Sequence, residues 1–251
     1  MAFGSIPYKR SNYNIVEKKC DEEMLSLIQC LMNFKEGKFN AIDELILFLS
    51  NNSMDIRNYA CQLFSDVCSY KNVHHFNNAW ELVETHKDIR SLILKLGDTL
   101  CLTAIPILLS WREDLEDVGF DGYICQSLAN IYPLQGVDEY NIDDIDINEL
   151  YNNTIEKLDK STYYFKGMPV FLGNISKDLI IKCQVSHKEK KQAFLVSEPQ
   201  ILSNFSGIVC PISLNESVDE KCLTSIYNYV NQIAGMPWKK GSKYFFSHEV
   251  I

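Results

Sequence analysis

The chain has 251 residues, 46% of them hydrophobic and 23% charged, which suffices for one large domain or two ordinary ones around a substantial apolar core. A formal net charge of −9 opposes strong nonspecific binding to nucleic acid or to an anionic membrane, because both need a surplus of Lys and Arg on the binding face. No apolar run approaches the ~18 residues of a membrane span and the first ten residues lack a secretory pattern, so a soluble, cytoplasmic protein is expected. The nine cysteines are odd in number, scattered among apolar neighbours and without a C-x-x-C pair, which suits reduced, mostly buried thiols.

Residues 1–21 are polar and mixed and are expected to form an N-terminal arm. Helical patterning begins where Asp21, Glu22 and Glu23 precede Met24, Leu27, Ile28 and Leu31 at helical spacing. Gly37 punctuates, and a second helix is expected over 39–49 with its stripe through Ile42, Leu45, Ile46 and Leu49. A third runs over 54–67, a fourth can be drawn over 73–83, and another opens on Asp88-Ile89-Arg90. The triplet Asp55-Ile56-Arg57 returns as Asp88-Ile89-Arg90 after 33 residues, and Asp121 stands 33 further on. Such a spacing marks stacked helix pairs and resembles HEAT-like repeats, with a period shorter than theirs. The aspartates suit helix N-termini, where they offset the dipole, and the arginines suit bonds to a neighbouring repeat. Pro106 should begin or kink its helix.

The expected fold is therefore mainly α: a HEAT-like α-solenoid of helix pairs over 22–135, an acidic linker over 136–150, and a small α+β C-terminal domain over 151–251. In that last domain short β-rich pieces are expected at 168–172, 193–196 and 207–210, and helices near 176–186 and 218–234.

The negative charge is concentrated. From Glu113 to Glu149 there are 11 acidic residues and no Lys, Arg or His. Aromatic and branched side chains lie between them, a mixture that suits docking onto a basic, apolar surface. The candidate partner-binding residues are Glu113, Asp114, Glu116, Asp117, Phe120, Asp121, Tyr123, Asp138, Glu139, Tyr140, Asp143, Asp144 and Asp146. The alternative is a solvated linker that aids solubility.

Chemical signatures are lacking elsewhere. His74-His75 and His86 come nearest to a metal cluster, but adjacent histidines on a helix point about 100° apart, and no metal or other cofactor is expected. There is no G-x-S-x-G elbow and no glycine-rich phosphate loop, so no catalytic residue is assigned. The basic, aromatic stretch from Trp238 to Phe246 admits two readings. It is either a short nucleic-acid motif, or a core segment in which Trp238, Tyr244 and Phe246 pack inward while the lysines face solvent.

Four stretches together, at 104–114 (ending Trp111-Arg112-Glu113-Asp114), 163–173 (Tyr163-Tyr164-Phe165-Lys166-Gly167-Met168-Pro169-Val170 onward), 206–211 and 238–245, resemble the Imm47 family of bacterial immunity proteins. The resemblance implies a non-enzymatic cytoplasmic protein that binds and neutralises a cognate polymorphic toxin. An acidic inhibitor would suit a basic toxin such as a nuclease. The rival expectations are a HEAT-like adaptor between two host proteins and an enzyme with its site in the C-terminal domain.

Overall fold

In the computed structural model the described residues are 22–77, 79–82, 86–115, 119–137, 146–193, 195, 197–213 and 216–251. The expected arm, 1–21, lies outside them. The fold is mainly helical, with two small hairpins in the C-terminal part of the sequence. In chain order the helices are α1 (Glu22–Lys35), α2 (Ile42–Leu47), α3 (Met54–Val67), α4 (His86–Asp98), α5 (Ile105–Asp114), α6 (Asp121–Ile131) and the single turn α7 (Ile147–Leu150). Strands β1 (Tyr164–Phe165) and β2 (Met168–Pro169) follow, then α8 (Leu172–Glu189), α9 (Glu198–Ser206), α10 (Glu220–Ala234), and β3 (Tyr244–Phe245) with β4 (His248–Glu249). The chain forms two compact units. Among the described residues one comprises those from Asn40 to Val170 with Ile251, and the other joins those from Phe171 to Val250 to those from Glu22 to Phe39.

In the 40–170 unit the 33-residue spacing of the sequence reappears as side-chain hydrogen bonds. Lys95 donates to Gln62, Thr103 to the Tyr70 carbonyl at 3.2 Å and Asn130 to the Gly97 carbonyl at 3.2 Å, each pair 33 residues apart. Trp111 to the Asn77 carbonyl (2.7 Å) and Ser127 to the Ile93 carbonyl (2.9 Å) span 34. These bonds lock α4 against α3 and α6 against α4, around a core that includes Phe64, Phe76, Ile93, Leu96, Trp111 and Phe120. The arginines of the repeated triplet act differently from each other. Arg57 donates to the Asn51 carbonyl at 2.5 Å and closes the turn before its own helix, whereas Arg90 lies 5.2 Å from the centroid of the Tyr123 ring on α6. Pro106 begins α5 in its first turn.

Two expected helices are shorter than drawn. The 39–49 helix is α-helical only from Ile42 to Leu47, with 3₁₀ turns on either side. The 73–83 helix is replaced by 3₁₀ turns at Val73–Phe76 and Ala79–Leu82. Asn72 and Asn77 favour local alternatives to the α-helix, and the Asn77 carbonyl, which an α-helix would give to a main-chain amide four residues on, accepts the Trp111 indole N–H instead.

Helices α4 and α6 approach closely at Gly97. A Cβ added at Gly97 would sit 2.8 Å from the Ser127 Cα, so the glycine is required by the neighbouring backbone. Beside this contact lies a buried polar chain: Lys95 donates to Gln62, and the Gln62 amide donates to Asp66 at 3.2 Å. Burial lowers the Lys95 pKa, against the opposing charges of Asp98, Asp66 and Cys61.

In the other unit, α8 and α10 follow the expected positions, each starting within a few residues of the apolar periodicity. The strand expected at 168–172 is confined to Met168–Pro169, because α8 already starts at Leu172. No strand occupies 207–210: Gly207, at φ 73°, ends α9, a helix that the sequence pattern does not announce. Of the 193–196 piece, 194 and 196 lie outside the described residues, and the adjacent Gln192 forms a single bridge with Ser217. The end of α1 belongs to this unit through two contacts with the last hairpin. A Cβ at Gly37 would meet the His248 ring at 2.8 Å, and the Lys35 ammonium lies 4.7 Å from the centre of the Phe246 ring.

Each unit contains the same closing device. Both hairpins have two-residue turns with both φ values positive, Lys166-Gly167 (51° and 80°) and Phe246-Ser247 (49° and 65°). The turn amides of the first donate to the Asn130 and Ile131 carbonyls at the end of α6 (2.8 and 3.0 Å). Those of the second donate to Asn204 and Phe205 at the end of α9 (2.7 and 2.6 Å). Orphan carbonyls at two helix ends are thereby satisfied in the same way. The helix ends also match in sequence, Leu128-Ala129-Asn130-Ile131 against Leu202-Ser203-Asn204-Phe205, as do the strands, Tyr164-Phe165 against Tyr244-Phe245.

Three outcomes are expected. Gly97→Ala forces backbone apart at the α4–α6 contact and should lower the unfolding free energy by ~1–3 kcal/mol in urea titrations, as overpacking does. Ser247→Gly relieves a left-handed residue that the first hairpin fills with Gly167, and should raise the unfolding free energy by up to about 1 kcal/mol after the entropy of the added glycine. Lys95 is held below the ordinary lysine value, so in that window the unfolded chain keeps a proton that the folded chain has released, and stability rises with pH. Urea titrations from about pH 7 to about pH 10 should therefore show wild type gaining on Lys95→Met as pH increases.

Candidate functional site

The acidic segment starts at the end of α5. Glu113 and Asp114 are exposed in its last turn, at the negative end of the helix dipole, where a carboxylate costs roughly 0.3–1 kcal/mol. The same turn carries one cation, Arg112, so the carboxylates outnumber it two to one at an end that favours positive charge. Phe120 behaves otherwise: at 1% exposure it is part of the core of the 40–170 unit and offers no surface to a partner. Its neighbour Asp121, in the first turn of α6, faces the Arg112 guanidinium at 3.6 Å, and the Tyr123 ring carries Arg90. Asp146 is exposed and accepts the Glu149 amide at 2.9 Å, which caps α7. Glu116, Asp117, Asp138, Glu139, Tyr140, Asp143 and Asp144 lie outside the described residues.

Apart from the buried Phe120, the structure separates the described candidate residues into two kinds. Glu113, Asp114 and Asp146 present carboxylates to solvent, while Asp121 and Tyr123 are engaged by arginines that approach from α5 and α4.

Elsewhere the chemistry is sparse. His74 and His75 sit on a 3₁₀ turn with ring centroids 4.1 Å apart. Burial and the neighbouring His74 lower the His75 pKa, against the opposing charge of Asp43. Among the described residues no group of three or more His, Cys, Asp or Glu is placed to hold a metal ion. Eight of the nine cysteines are described; all are free thiols and six are buried. Burial pushes the Cys61 thiol up to about 11 and those of Cys183 and Cys210 up to about 12, far from the thiolate form a nucleophile needs. Among the described residues no helix is long and apolar enough to cross a membrane.

The basic, aromatic stretch packs inward. Trp238 donates its indole N–H to the Ile233 carbonyl at 2.8 Å and meets the Tyr244 ring edge-on at 4.9 Å; Tyr244 is buried as expected, but the next fully buried ring is Phe245, while Phe246 is half-buried in the hairpin turn. Lys239 and Lys240 face solvent as a core segment requires, but Lys243 does not: it is 1% exposed. Its carbonyl accepts the Val250 amide at 2.9 Å, so it continues a hairpin strand that is covered on both faces. Glu198, fully buried at the start of α9, is bonded by Lys182 at 2.6 Å, and Asp178 adds a second carboxylate at 3.3 Å. Burial works against the Lys182 charge, but these two carboxylates outweigh it and raise its pKa.

One concavity lies on the 171–250 unit. It is an open groove of about 300 Å³ between α8 and α10, closed at one end by Trp238 and walled by Phe171, Ile180, Ile181, Val230 and Ile233. Lys177 is the one charged residue in its lining and Ser176 adds a hydroxyl, so no set of acid, base and nucleophile converges there. Sequence inspection passed over this groove although a signal existed. Leu172, Ile175, Leu179 and Cys183 already fill the buried stripe of α8, which leaves Ile180, Ile181 and Val185 as apolar residues in excess of what the core takes.

No curated protein and no solved structure matches the chain. The family model of Immunity protein 47 (Imm47) matches residues 5–250, nearly the whole length, and the chain therefore belongs to the Imm47 family of immunity proteins.

Proposed function

We propose that this protein protects its producer by binding and neutralising a cognate protein toxin in the cytoplasm, without catalysis, and that its acidic segment docks on a basic toxin such as a nuclease. The supporting observation is the pair of exposed carboxylates, Glu113 and Asp114, at the wrong end of the α5 dipole, at the head of a run with 11 acids and no cation. A chain that keeps charge where its own helix disfavours it has another use for that charge. Complementary potential speeds encounter, and carboxylates can occupy a surface shaped for phosphates. Asp146, exposed near the end of the same run, adds a further carboxylate, while Asp121 and Tyr123 are engaged by Arg112 and Arg90.

The test is a binding and growth-rescue assay with the toxin domain encoded beside this chain's gene. Wild type should bind and rescue. Combining Glu113→Gln and Asp114→Asn with Asp143, Asp144 and Asp146 changed to Asn should slow association by about tenfold or more and flatten the salt dependence. Unchanged association and salt dependence would refute the electrostatic docking, and failure of wild type to bind or rescue would refute immunity to that toxin.

A further inference from the structure

We propose that the groove between α8 and α10 seats an amphipathic helix of the partner, with its apolar stripe down the groove and carboxylates along its flanks; as a toxin contact, this rests on the immunity reading above. The two helices run antiparallel, since Gly173 and Trp238 line one end while Gln184 donates to the Tyr227 hydroxyl at 2.6 Å towards the other. From Gly173 to Val185 the groove and its continuation follow α8 for roughly 18 Å, about three turns of a helix. The apolar surface does not stop at the concavity. Ile181, 46% exposed, lies in its wall, and Val185 and Tyr227, 50% and 39% exposed, extend it along both helices. A small molecule filling the concavity would leave these side chains in water, whereas a helix laid lengthwise covers them.

Charge selects the kind of helix. Between Phe171 and Val250 there are nine lysines and seven carboxylates. Four of those carboxylates, Asp178, Glu189, Glu198 and Glu249, are already paired with lysines. Lys177 at the groove, Lys188 and Lys190 beyond Val185, and Lys240 beyond Trp238 are exposed and make no ion pair among the described residues. Along α10 there is no charged residue from Cys222 to Ala234. One cation and no carboxylate therefore line the groove, and further unpaired cations follow each of its ends in sequence, which favours carboxylates on the occupant and disfavours lysines.

The probes are two three-turn helical peptides with leucines at i, i+4 and i+7, one flanked by glutamates and the other by lysines, each measured by fluorescence anisotropy against the full chain. The glutamate peptide should bind about tenfold tighter than its lysine twin, a difference of roughly 1.4 kcal/mol. Ile181→Glu should abolish binding of both, and Lys177→Glu should narrow or reverse the preference. Both substitutions are at exposed positions, and unchanged thermal midpoints will show that the fold persists. Equal affinity for the two peptides, no binding of either by wild type, or full binding by Ile181→Glu overturns the proposal. The toxin domain separates it from the immunity reading. Equal neutralisation by wild type and Ile181→Glu removes the groove from toxin contact and leaves immunity standing. A toxin that wild type fails to bind refutes immunity to it, while the peptide comparison still decides what the groove takes.

Discussion

The last carbonyls of a helix must find donors, and in this protein the ends of α6 and α9 find them in the amides of hairpin turns. Much else follows from that requirement. The turns need both residues at positive φ, which sets the two-residue loops Lys166-Gly167 and Phe246-Ser247 and thereby the pairing of Tyr164 with Pro169 and Tyr244 with Glu249. The hairpins in turn hold their aromatic strands in the two cores. Phe245 is fully buried and Tyr164, Phe165 and Tyr244 nearly so. Recurrence of one device with matching helix ends and strands describes a chain that solves the same packing problem twice.

Where elements were legible in the sequence, local chemistry and tertiary packing asked for the same thing. The α3 pattern sets its limits at 54 and 67 because the apolar stripe, the first-turn Asp55 and the preceding Asn-Asn-Ser turn agree. The 33-residue spacing was readable because it is also the spacing of the bonds from α3 to α4 and α4 to α6. Where elements were missed, packing overrode propensity. Helix α9 contains Pro199, Asn204 and two serines, and the hydroxyls of both, Ser203 and Ser206, turn back onto the carbonyls four residues earlier. It is held by its hairpin cap and buried surroundings, which no short window of sequence displays. The partnership of α1 with the last hairpin was equally hidden, since Gly37 and His248 meet across more than two hundred residues of chain.

The candidate site was legible as charge and illegible as geometry. A run of acids without cations is a property of sequence, but which of its acidic and aromatic residues are already engaged depends on Arg112 and Arg90, one just before the run and the other on a helix preceding it. Phe120 shows the limit most plainly. An aromatic among acids suggests an exposed anchor, yet α5 and α6 are joined by a short connection and pack on each other, and the large ring lies in the core with them.

The burial of Phe120 alters what an acidic face is able to do. Exposed carboxylates accelerate encounter and reject wrong partners, but they contribute little residence time once solvent screens them. Tight complexes draw most of their energy from a few apolar or aromatic anchors in desolvated contacts. With Phe120 in the core and Tyr123 beneath Arg90, the described acidic residues have no such anchor among them, whereas Ile181, Val185, Tyr227 and the walls of the α8–α10 groove offer a row of them. In the proposed mode of binding, steering and holding are thus assigned to different residues and to opposite charge. A partner that engages both must present a basic surface to one and an acid-flanked apolar helix to the other, a combination that few proteins carry by chance, so that specificity follows from the pairing of two requirements, neither of them stringent alone.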